Sequence, residues 1–199
     1  PGINMGDLRP FLRRRPDGRC RLMGILNATP DSFHAESRVD LDSAVERGLQ
    51  MWASGADWVD VGGESTRPGA EPVDANEEMQ RVIPVIKALR GANPEGLISI
   101  DSRRVEVAKA ALNAGANMIN DVSGLRDPGM FNLVVESGCA VCIMHMQGEP
   151  GNMQSDPNYE DVFAEVYDSL NSIASKLVEN GHDPNLICLD PGIGFGKTL

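Results

Sequence analysis

Six short apolar runs in this sequence each end on a polar side chain that can bind or act on a ligand. The end residues are Asn27, Asp60, Asp101, Asn120 with Asp121, His145 and Asp190. Carboxylates, amides and imidazoles supply charge together with hydrogen-bond donors and acceptors. We therefore predict that these groups form one polar site, provided that the runs are strands ending at a common edge.

The stretches between the runs have the periodicity of amphipathic helices. The predicted strands are 21–27, 57–61, 97–101, 117–120, 139–145 and 186–190, and the predicted helices are 42–54, 75–91, 104–114, 128–137 and 159–180. Strands that are apolar on both faces and alternate with helices pair in parallel through right-handed crossovers. The sequence thus predicts an α/β protein with a parallel sheet.

Two architectures have this order of elements, an open doubly wound sheet and a (β/α)8 TIM barrel. Barrel active sites lie at the C-terminal ends of the strands, where the six polar ends fall. A complete barrel needs about 250 residues, whereas this chain has 199. We therefore predict a single domain over residues 1–199, an N-terminal portion of a barrel with about six βα units that stops before strands 7 and 8.

Composition excludes several classes of protein. A formal net charge of −11 argues against a nucleic-acid partner, because that affinity depends on neutralising phosphates. No apolar run approaches the roughly 20 residues that span a bilayer, so no membrane association is expected. The first residues lack the apolar core of a secretory signal, which predicts a cytoplasmic location.

Two local patterns suggest chemistry that the sequence does not support. Cys139 and Cys142 form a C-x-x-C pair within a strand, so their side chains point to opposite faces and cannot share a metal. We expect the four cysteines to be small buried hydrophobes. The run 191–198 ends like a phosphate-binding P-loop, but Pro191 stands where that motif requires glycine. Lys197 is expected to be a solvated loop lysine, with a phosphate contact as the alternative.

Four loop motifs together resemble the dihydropteroate synthase family of pterin-binding enzymes. They are MGILNATPDSF at 23–33, DVGGESTRPGA at 60–70, INDVSG at 119–124 and DPGIGFGK at 190–197. The family is a (β/α)8 barrel that joins 6-hydroxymethyl-7,8-dihydropterin diphosphate to p-aminobenzoate and releases pyrophosphate. The resemblance implies a transferase of folate biosynthesis with these small-molecule substrates.

The resemblance also implies roles for strand-end residues around the pterin. Asp101, Asn120 and Asp190 match the family positions that bind the donor edge of the pterin ring, and buried donors need such acceptors. Met144 is expected to pack on the pterin face.

Further roles follow for the diphosphate and the second substrate. Thr66 and Arg67 are implied as diphosphate ligands, and Asn27 as the ligand of Mg²⁺, the expected cofactor. Asn27, Arg67 and Asp101 are the residues expected to act in catalysis. The p-aminobenzoate pocket, which sulfonamides would share, is implied to include Asp31, Phe33, Pro68 and Phe195.

The chain departs from the family pattern in two places. After TPDSF the family continues with Ser-Asp-Gly-Gly, whereas this chain has HAESR at 34–38. The family also has a lysine after strand 7 and an arginine and a histidine after strand 8, for which this chain offers no equivalents. We expect the 199-residue chain alone to be poorly active, and the complete protein to be a homodimer.

Two other functions are compatible with the motifs. A pterin-binding methyltransferase-type domain uses a similar acidic set at the strand ends, although it has no equivalent need for the STRPGA loop. A non-catalytic pterin-binding fragment is the second alternative.

Overall fold

The computed structural model describes residues 6–28, 38–64, 73–148, 153 and 157–197. The strands are β1 (Met23–Asn27), β2 (Trp58–Gly62), β3 (Leu97–Asp101), β4 (Met118–Asp121), β5 (Ala140–Met144) and β6 (Ile187–Asp190). The helices are α1 (Arg38–Ala53), α2 (Ala75–Ala92), α3 (Val105–Ala114), α4 (Pro128–Ser137) and α5 (Val162–Glu179). Short 3₁₀ helices lie at Arg9–Leu12 and Pro184–Leu186.

All six strands are parallel and form one sheet in chain order, β1 to β6. A doubly wound sheet would reverse its strand order at a switch point. The unreversed order, with a helix between every two strands, is that of six units of a (β/α)8 barrel. In the described part of the chain β1 and β6 do not pair with each other, so the sheet has two edges.

Local signals in the sequence set the helix boundaries. The side chains of Asp74, Asp127 and Asp161 accept hydrogen bonds from backbone N–H groups in the first turns of α2, α4 and α5. Gly115 and Gly138 end α3 and α4 in the left-handed conformation, at φ 112° and 63°. These caps explain why the predicted helices 104–114 and 128–137 agree with α3 and α4 to within one residue.

The main apolar core lies between the sheet and the helices that cover its outer face. A second, smaller cluster closes the inside of the barrel at the N-terminal ends of the strands. There Leu8 and Leu12 of the N-terminal segment pack with Trp58, Leu97 and Met118. Arg15 and Arg21, which follow in the same N-terminal segment, form ion pairs with Asp57 just before β2, at 2.8 and 2.7 Å.

The cysteines only partly follow the prediction that all four are buried. Cys139 is buried on the helix side, and Cys142 faces the inside of the barrel, as strand alternation requires. Cys20 and Cys188 are exposed. The prediction was wrong for Cys20, which lies outside the helices and strands, and for Cys188, because no described residue pairs with the outer edge of β6.

None of the helices in the described ranges is long and apolar enough to cross a membrane.

Candidate active site

One row of register-matched residues crosses all six strands near their C-terminal ends. Its members are Asn27, Gly62, Asp101, Asn120, Cys142 and Cys188. Residues matched in register on parallel strands point to the same face. The row therefore places Asn27, Asp101 and Asn120 on the inside of the barrel. Met144 and Asp190 form the next inward-facing pair on β5 and β6.

Asp60 supports Asn120 from the layer below. Nδ2 of Asn120 donates a hydrogen bond to Oδ2 of Asp60 at 3.0 Å. Asp60 is only 4% exposed, and burial raises the pKa of its carboxyl group. Asp60 thus fixes the Asn120 amide so that its carbonyl oxygen is left for a ligand.

Asp101 lies where negative charge is concentrated. Burial raises the pKa of this carboxyl group well above its usual value, and the carboxylates of Asp60, Glu78 and Asp121 raise it further. A hydrogen-bond donor or a cation entering the site would favour the ionised form. Gly62 beside it has no side chain, and a Cβ there would lie 3.4 Å from Oδ2 of Asp101, so the space next to this carboxylate stays open.

Asp190 is held by a tight turn after β6. Its Oδ1 accepts a hydrogen bond from the Gly192 backbone N–H at 2.8 Å, and no hydrogen bond within the described ranges involves Oδ2. Gly192 has φ +66°, and a Cβ there would lie 2.1 Å from the carbonyl oxygen of His145. Only glycine allows this contact, which brings the loop after β6 against the end of β5.

An apolar cluster borders the polar row. Met144 packs with Val122, Met146 and Met153, and Phe195 packs against the group. Met144 is 4% exposed. Met144 and Phe195, which the family resemblance assigned to two different substrates, thus belong to one apolar wall beside Asp190.

Lys197 is not the solvated lysine that the sequence predicts. Its Nζ donates to the carbonyl oxygens of His145, Gly192 and Phe195 at 3.2, 3.0 and 3.0 Å, and lies 3.1 Å from Nδ1 of His145. Three carbonyl oxygens converge on one point and bind the Lys197 ammonium group, which is why this side chain is not solvated. Burial and the nearby Lys197 charge lower the pKa of His145. Through its three carbonyl bonds Lys197 links the residue after β5 to the loop after β6.

Arg104 joins the two ends of the segment that follows β2. Its Nη1 donates to Oε2 of Glu64 at 2.7 Å and to Oε2 of Glu78 at 2.5 Å, and its Nη2 donates to the Val73 carbonyl. The Val73 N–H donates to Oε1 of Glu64 at 3.3 Å. The guanidinium lowers the pKa of Glu64 against the effect of burial, whereas burial dominates at Glu78 and raises its pKa.

Five predicted site residues lie outside the described residues. They are Asp31, Phe33, Thr66, Arg67 and Pro68. The last three fall in 65–72, the segment whose two ends Arg104 joins. Their roles stay predictions.

Sequence reasoning missed Arg104, Glu64 and Glu78 as neighbours of the site. The only available signal was the Arg103–Arg104 pair directly after the strand that ends at Asp101. It also missed that Cys142 and Cys188 are partners on neighbouring strands, because 46 residues separate them and no motif joins them.

The described residues contain no group of three or more His, Cys, Asp or Glu side chains that could hold a metal ion. Asn27 lies exposed at the C-terminal end of β1, with Gly62 as its neighbour. One amide oxygen suits a Mg²⁺ ion whose remaining ligands are substrate oxygens and water, the usual arrangement for Mg²⁺ with phosphates.

Comparison with known proteins gives a consistent result. A family model described as pterin binding enzyme matches residues 23–199. The dihydropteroate synthase of Escherichia coli strain K12 is 45% identical over 179 residues, which make up 89% of this chain and 63% of that protein. The chain thus spans about 63% of the length of this relative.

Two solved structures have the same fold as this chain. The Yersinia pestis dihydropteroate synthase with a sulfonamide drug matches with a TM-score of 0.81 and 40% identity, over 89% of this chain and 65% of that chain. The Burkholderia cenocepacia dihydropteroate synthase complexed with 7,8-dihydropteroate matches with a TM-score of 0.78 and 47% identity, over 90% of this chain and 61% of that chain.

Proposed function

Because the chain belongs to the family of pterin binding enzymes, we propose that it functions in dihydropteroate synthesis, as a transferase of folate biosynthesis. The substrates are 6-hydroxymethyl-7,8-dihydropterin diphosphate and p-aminobenzoate, and the products are 7,8-dihydropteroate and pyrophosphate. One observation supports this proposal above the others: three acceptor side chains, Asp101, Asn120 and Asp190, face the inside of the barrel on three strands.

These acceptors suit the edge of a reduced pterin, which presents ring N–H and amino donors. A buried donor without an acceptor costs about 1–3 kcal/mol, so a site with three acceptors discriminates strongly against analogues that lack the donors. Asp190 offers Oδ2, and Asn120 offers its carbonyl oxygen because Asp60 engages its amino group. Met144 and Phe195 supply an apolar surface beside the ring.

The chemistry requires positioning and charge stabilisation more than proton transfer. The bond between the exocyclic methylene of the pterin and the diphosphate oxygen breaks, and the electron pair leaves with the diphosphate. The aryl amine then attacks the methylene carbon and loses a proton. Thr66 and Arg67 are proposed to hold the departing diphosphate. Arg104 binds Glu64 and Val73, the residues on either side of the segment 65–72 that contains them.

Mg²⁺ is proposed as the cofactor, with the Asn27 side chain as its protein ligand. When bound, the ion would neutralise charge on the diphosphate oxygens. Asn27 lies at the end of β1, one strand away from Gly62 and two from Asp101, and so stands beside the pterin acceptors. The cytoplasmic location and the homodimer stay predictions.

The second-substrate pocket is proposed to involve Asp31, Phe33 and Pro68 together with Phe195. The Yersinia pestis relative was solved with a sulfonamide drug, which supports sulfonamide competition with p-aminobenzoate for this protein. This chain has HAESR at 34–38 where the family has a glycine-containing stretch. We therefore expect the p-aminobenzoate pocket to differ from that of the relatives more than the rest of the site does.

Pyrophosphate release tests the proposal. It should be measured with the dihydropterin diphosphate and Mg²⁺, with and without p-aminobenzoate, on the 199-residue chain and on any longer form that its gene encodes. We expect release that depends on the aryl amine and is lost in Asp101→Ala but not in Asp17→Asn, an exposed aspartate paired with Arg19. Tight pterin binding without amine-dependent release in every form would contradict a synthase and favour a binding or methyltransferase domain.

A further inference from the structure

We propose that Arg126 is a positioning residue for the pterin site, because it ties the turn after β4 to the segment after β5 and so fixes the apolar wall beside Asp190. The ligand that this wall receives is a flat heteroaromatic ring, the pterin of the proposed reaction, and the inference rests on that proposed function. Arg126 acts through the backbone of its neighbours and does not contact the ring.

The apolar wall is built from neighbouring connections at the C-terminal ends of the strands. Its members are Val122 from the turn after β4, Met144 from β5, Met146 and Met153 from the segment after β5, and Phe195 from the loop after β6. A ring packs well on such a surface only when the side chains are held in place by their surroundings. The spacing between the turn after β4 and the segment after β5 therefore decides the shape of most of the wall.

Arg126 sets this spacing directly. Its Nη1 donates a hydrogen bond to the carbonyl oxygen of Gly148 at 2.6 Å, and its Nη2 donates to the carbonyl oxygen of Met146. The donors of a guanidinium group form a rigid fork, so the two carbonyl groups are fixed relative to each other. Met146 is thus held by its backbone while its side chain, which is buried, packs in the wall.

The turn that carries Arg126 is held by Asp121, the last residue of β4. Oδ1 of Asp121 accepts hydrogen bonds from the N–H and the hydroxyl of Ser123 at 2.8 and 2.7 Å, and Oδ2 accepts one from the Leu125 N–H at 2.9 Å. Burial raises the pKa of Asp121, and these bonds together with the Arg126 charge oppose that effect. Asp121 therefore fixes the turn up to the residue before Arg126.

The backbone of this turn is strained next to Arg126. Leu125 has φ +57° and is the only residue other than glycine with a positive φ in the described part of the chain. Its side chain is buried in the main core. A Cβ at Gly124 would lie 2.7 Å from the Met144 carbonyl oxygen, so the turn is pressed against the end of β5. Such strain persists only where the surroundings hold it, and it is concentrated at functional sites.

The tie made by Arg126 lies within the sheet and next to the pterin acceptors. β4 and β5 each pair with a strand on both sides. Asn120 directly precedes Asp121, and Met144 is the register partner of Asp190. The elements that Arg126 joins thus carry the wall and border two of the three acceptors. We expect its loss to weaken pterin binding by the folded protein.

Calorimetric titration with 6-hydroxymethyl-7,8-dihydropterin diphosphate tests this role, on the 199-residue chain and on any longer form that its gene encodes. Arg126→Met keeps a long unbranched side chain without a donor. It should raise Kd by about tenfold, because two hydrogen bonds from a charged group are lost. Arg126→Lys keeps the charge and can bind one of the two carbonyl oxygens, so its Kd should lie between those of Arg126→Met and the unchanged protein.

Two arginines far from the site provide matched controls. Arg90 donates to the carbonyl oxygens of Pro94 and Gly115, at 2.6 and 2.8 Å, just before β3 and β4 begin. Arg14 is exposed and donates to the Gly18 carbonyl oxygen at 3.1 Å. Arg90→Met should lower the melting temperature without changing pterin affinity, and Arg14→Met should change neither.

Three outcomes of the titrations would overturn the proposal. They are an unchanged Kd in Arg126→Met, an equal rise of Kd in Arg90→Met, and an Arg126→Lys variant that binds no better than Arg126→Met. The second would mean that affinity only follows stability, and the third that the carbonyl bonds are not what matters.

Amide hydrogen exchange separates failure of this role from failure of the proposed function. The N–H groups of His145 and Asn158 are hydrogen-bonded to Asp190 and Gln147. Without any ligand, their exchange should become several-fold faster in Arg126→Met and stay unchanged in Arg90→Met. Unchanged exchange in Arg126→Met would overturn the proposal. Faster exchange, in a protein of which no form binds the pterin, would contradict the proposed function and leave the tie between the two connections established.

Discussion

The amide nitrogen of Asn120 lies 3.0 Å from Oδ2 of Asp60, and this bond runs across the inside of the barrel from β4 to β2. Asp60 is only 4% exposed and lies one layer below the row that contains Asn120. It therefore cannot contact the ligand directly. Its hydrogen bond engages the Asn120 amide nitrogen, so that the Asn120 carbonyl oxygen is available to the ligand. Oδ2 can accept this bond whether the Asp60 carboxyl group is ionised or protonated.

Asp60→Ala should therefore weaken pterin binding by about tenfold, because one neutral hydrogen bond is worth about 1–1.5 kcal/mol. Asp60→Asn should retain most of the affinity, because its carbonyl oxygen can accept the same bond and burial already favours a neutral group here. Calorimetric titration with a pterin measures both. Equal losses in the two variants would show that the charge of Asp60 is required.

Arg104→Ala should destabilise the protein by about 3 kcal/mol, because it leaves the buried Glu78 without its ionic partner. The raised pKa of Glu78 limits the loss, since that carboxyl group can take up a proton. Urea denaturation measures the change in the free energy of unfolding. Arg104→Lys should recover part of it through the charge alone.

Arg103→Ala is the matched control for that experiment. Arg103 pairs with Glu64 at 3.5 Å, and such partly exposed pairs contribute about 1 kcal/mol or less. If Arg104 positions the segment 65–72 for the diphosphate, its variants should raise KM for the pterin diphosphate more than KM for p-aminobenzoate. An equal effect on both constants, or equal effects at Arg103 and Arg104, would refute this role.

Gly192→Ala should be strongly destabilising or should fail to fold, because the new Cβ would lie 2.1 Å from the His145 carbonyl oxygen. Gly194→Ala separates this clash from backbone strain. Gly194 also has positive φ, at +88°, but a Cβ there would meet no atom within 4 Å. It should cost only about 1–2 kcal/mol. Thermal melts of the two variants should therefore differ clearly, and similar melting temperatures would contradict the close contact.

Asp57 should make stability depend on acidity. Burial raises the pKa of this group, but hydrogen bonds from Arg15, the Leu22 N–H and Arg21 outweigh that effect and lower it to about 2. A lowered pKa stabilises the folded state above the ordinary value of 3.8, and the contribution is lost as the pH falls toward 2.

Asp57→Asn should thus reduce the free energy of unfolding by about 1–2 kcal/mol at neutral pH, after allowance for solvent screening. The difference from the unchanged protein should shrink as the pH falls from about 4 toward about 2. Urea titrations at several pH values measure it. Asp17→Asn is the control, because its pair with Arg19 is exposed. A difference that stays constant with pH would exclude the ionised Asp57 as its source.

The sequence predicts the strands well because each is a continuous apolar run with a polar end. The position of Asp101, Asn120 and Asp190 at the ends of these runs also predicts that they lie at the mouth of the barrel, and the register places them on its inner face. The helix boundaries are less exact: α1, predicted over 42–54, is observed at Arg38–Ala53, and α5, predicted over 159–180, at Val162–Glu179 although Asp161 caps its first turn.

Contacts between distant segments could not be predicted in the same way. Arg104 stands at the N-cap position of α3 yet makes no side-chain cap, and only the fold brings Glu64 and Glu78 to it. The exposure of Cys188 depends on what covers β6. The partial burial of Lys197 depends on three carbonyl groups contributed by two loops. None of these environments has a local pattern in the sequence.

The register row also limits how this protein can change in length during evolution. A one-residue insertion inside β3 would turn Asp101 toward the helices and bring an apolar side chain into the site, because inside and outside alternate. An insertion in the turn at 93–96 before β3 would leave that alternation intact. Length variation among related sequences should therefore concentrate in the connections at the N-terminal ends of the strands, and the six strands should keep their lengths.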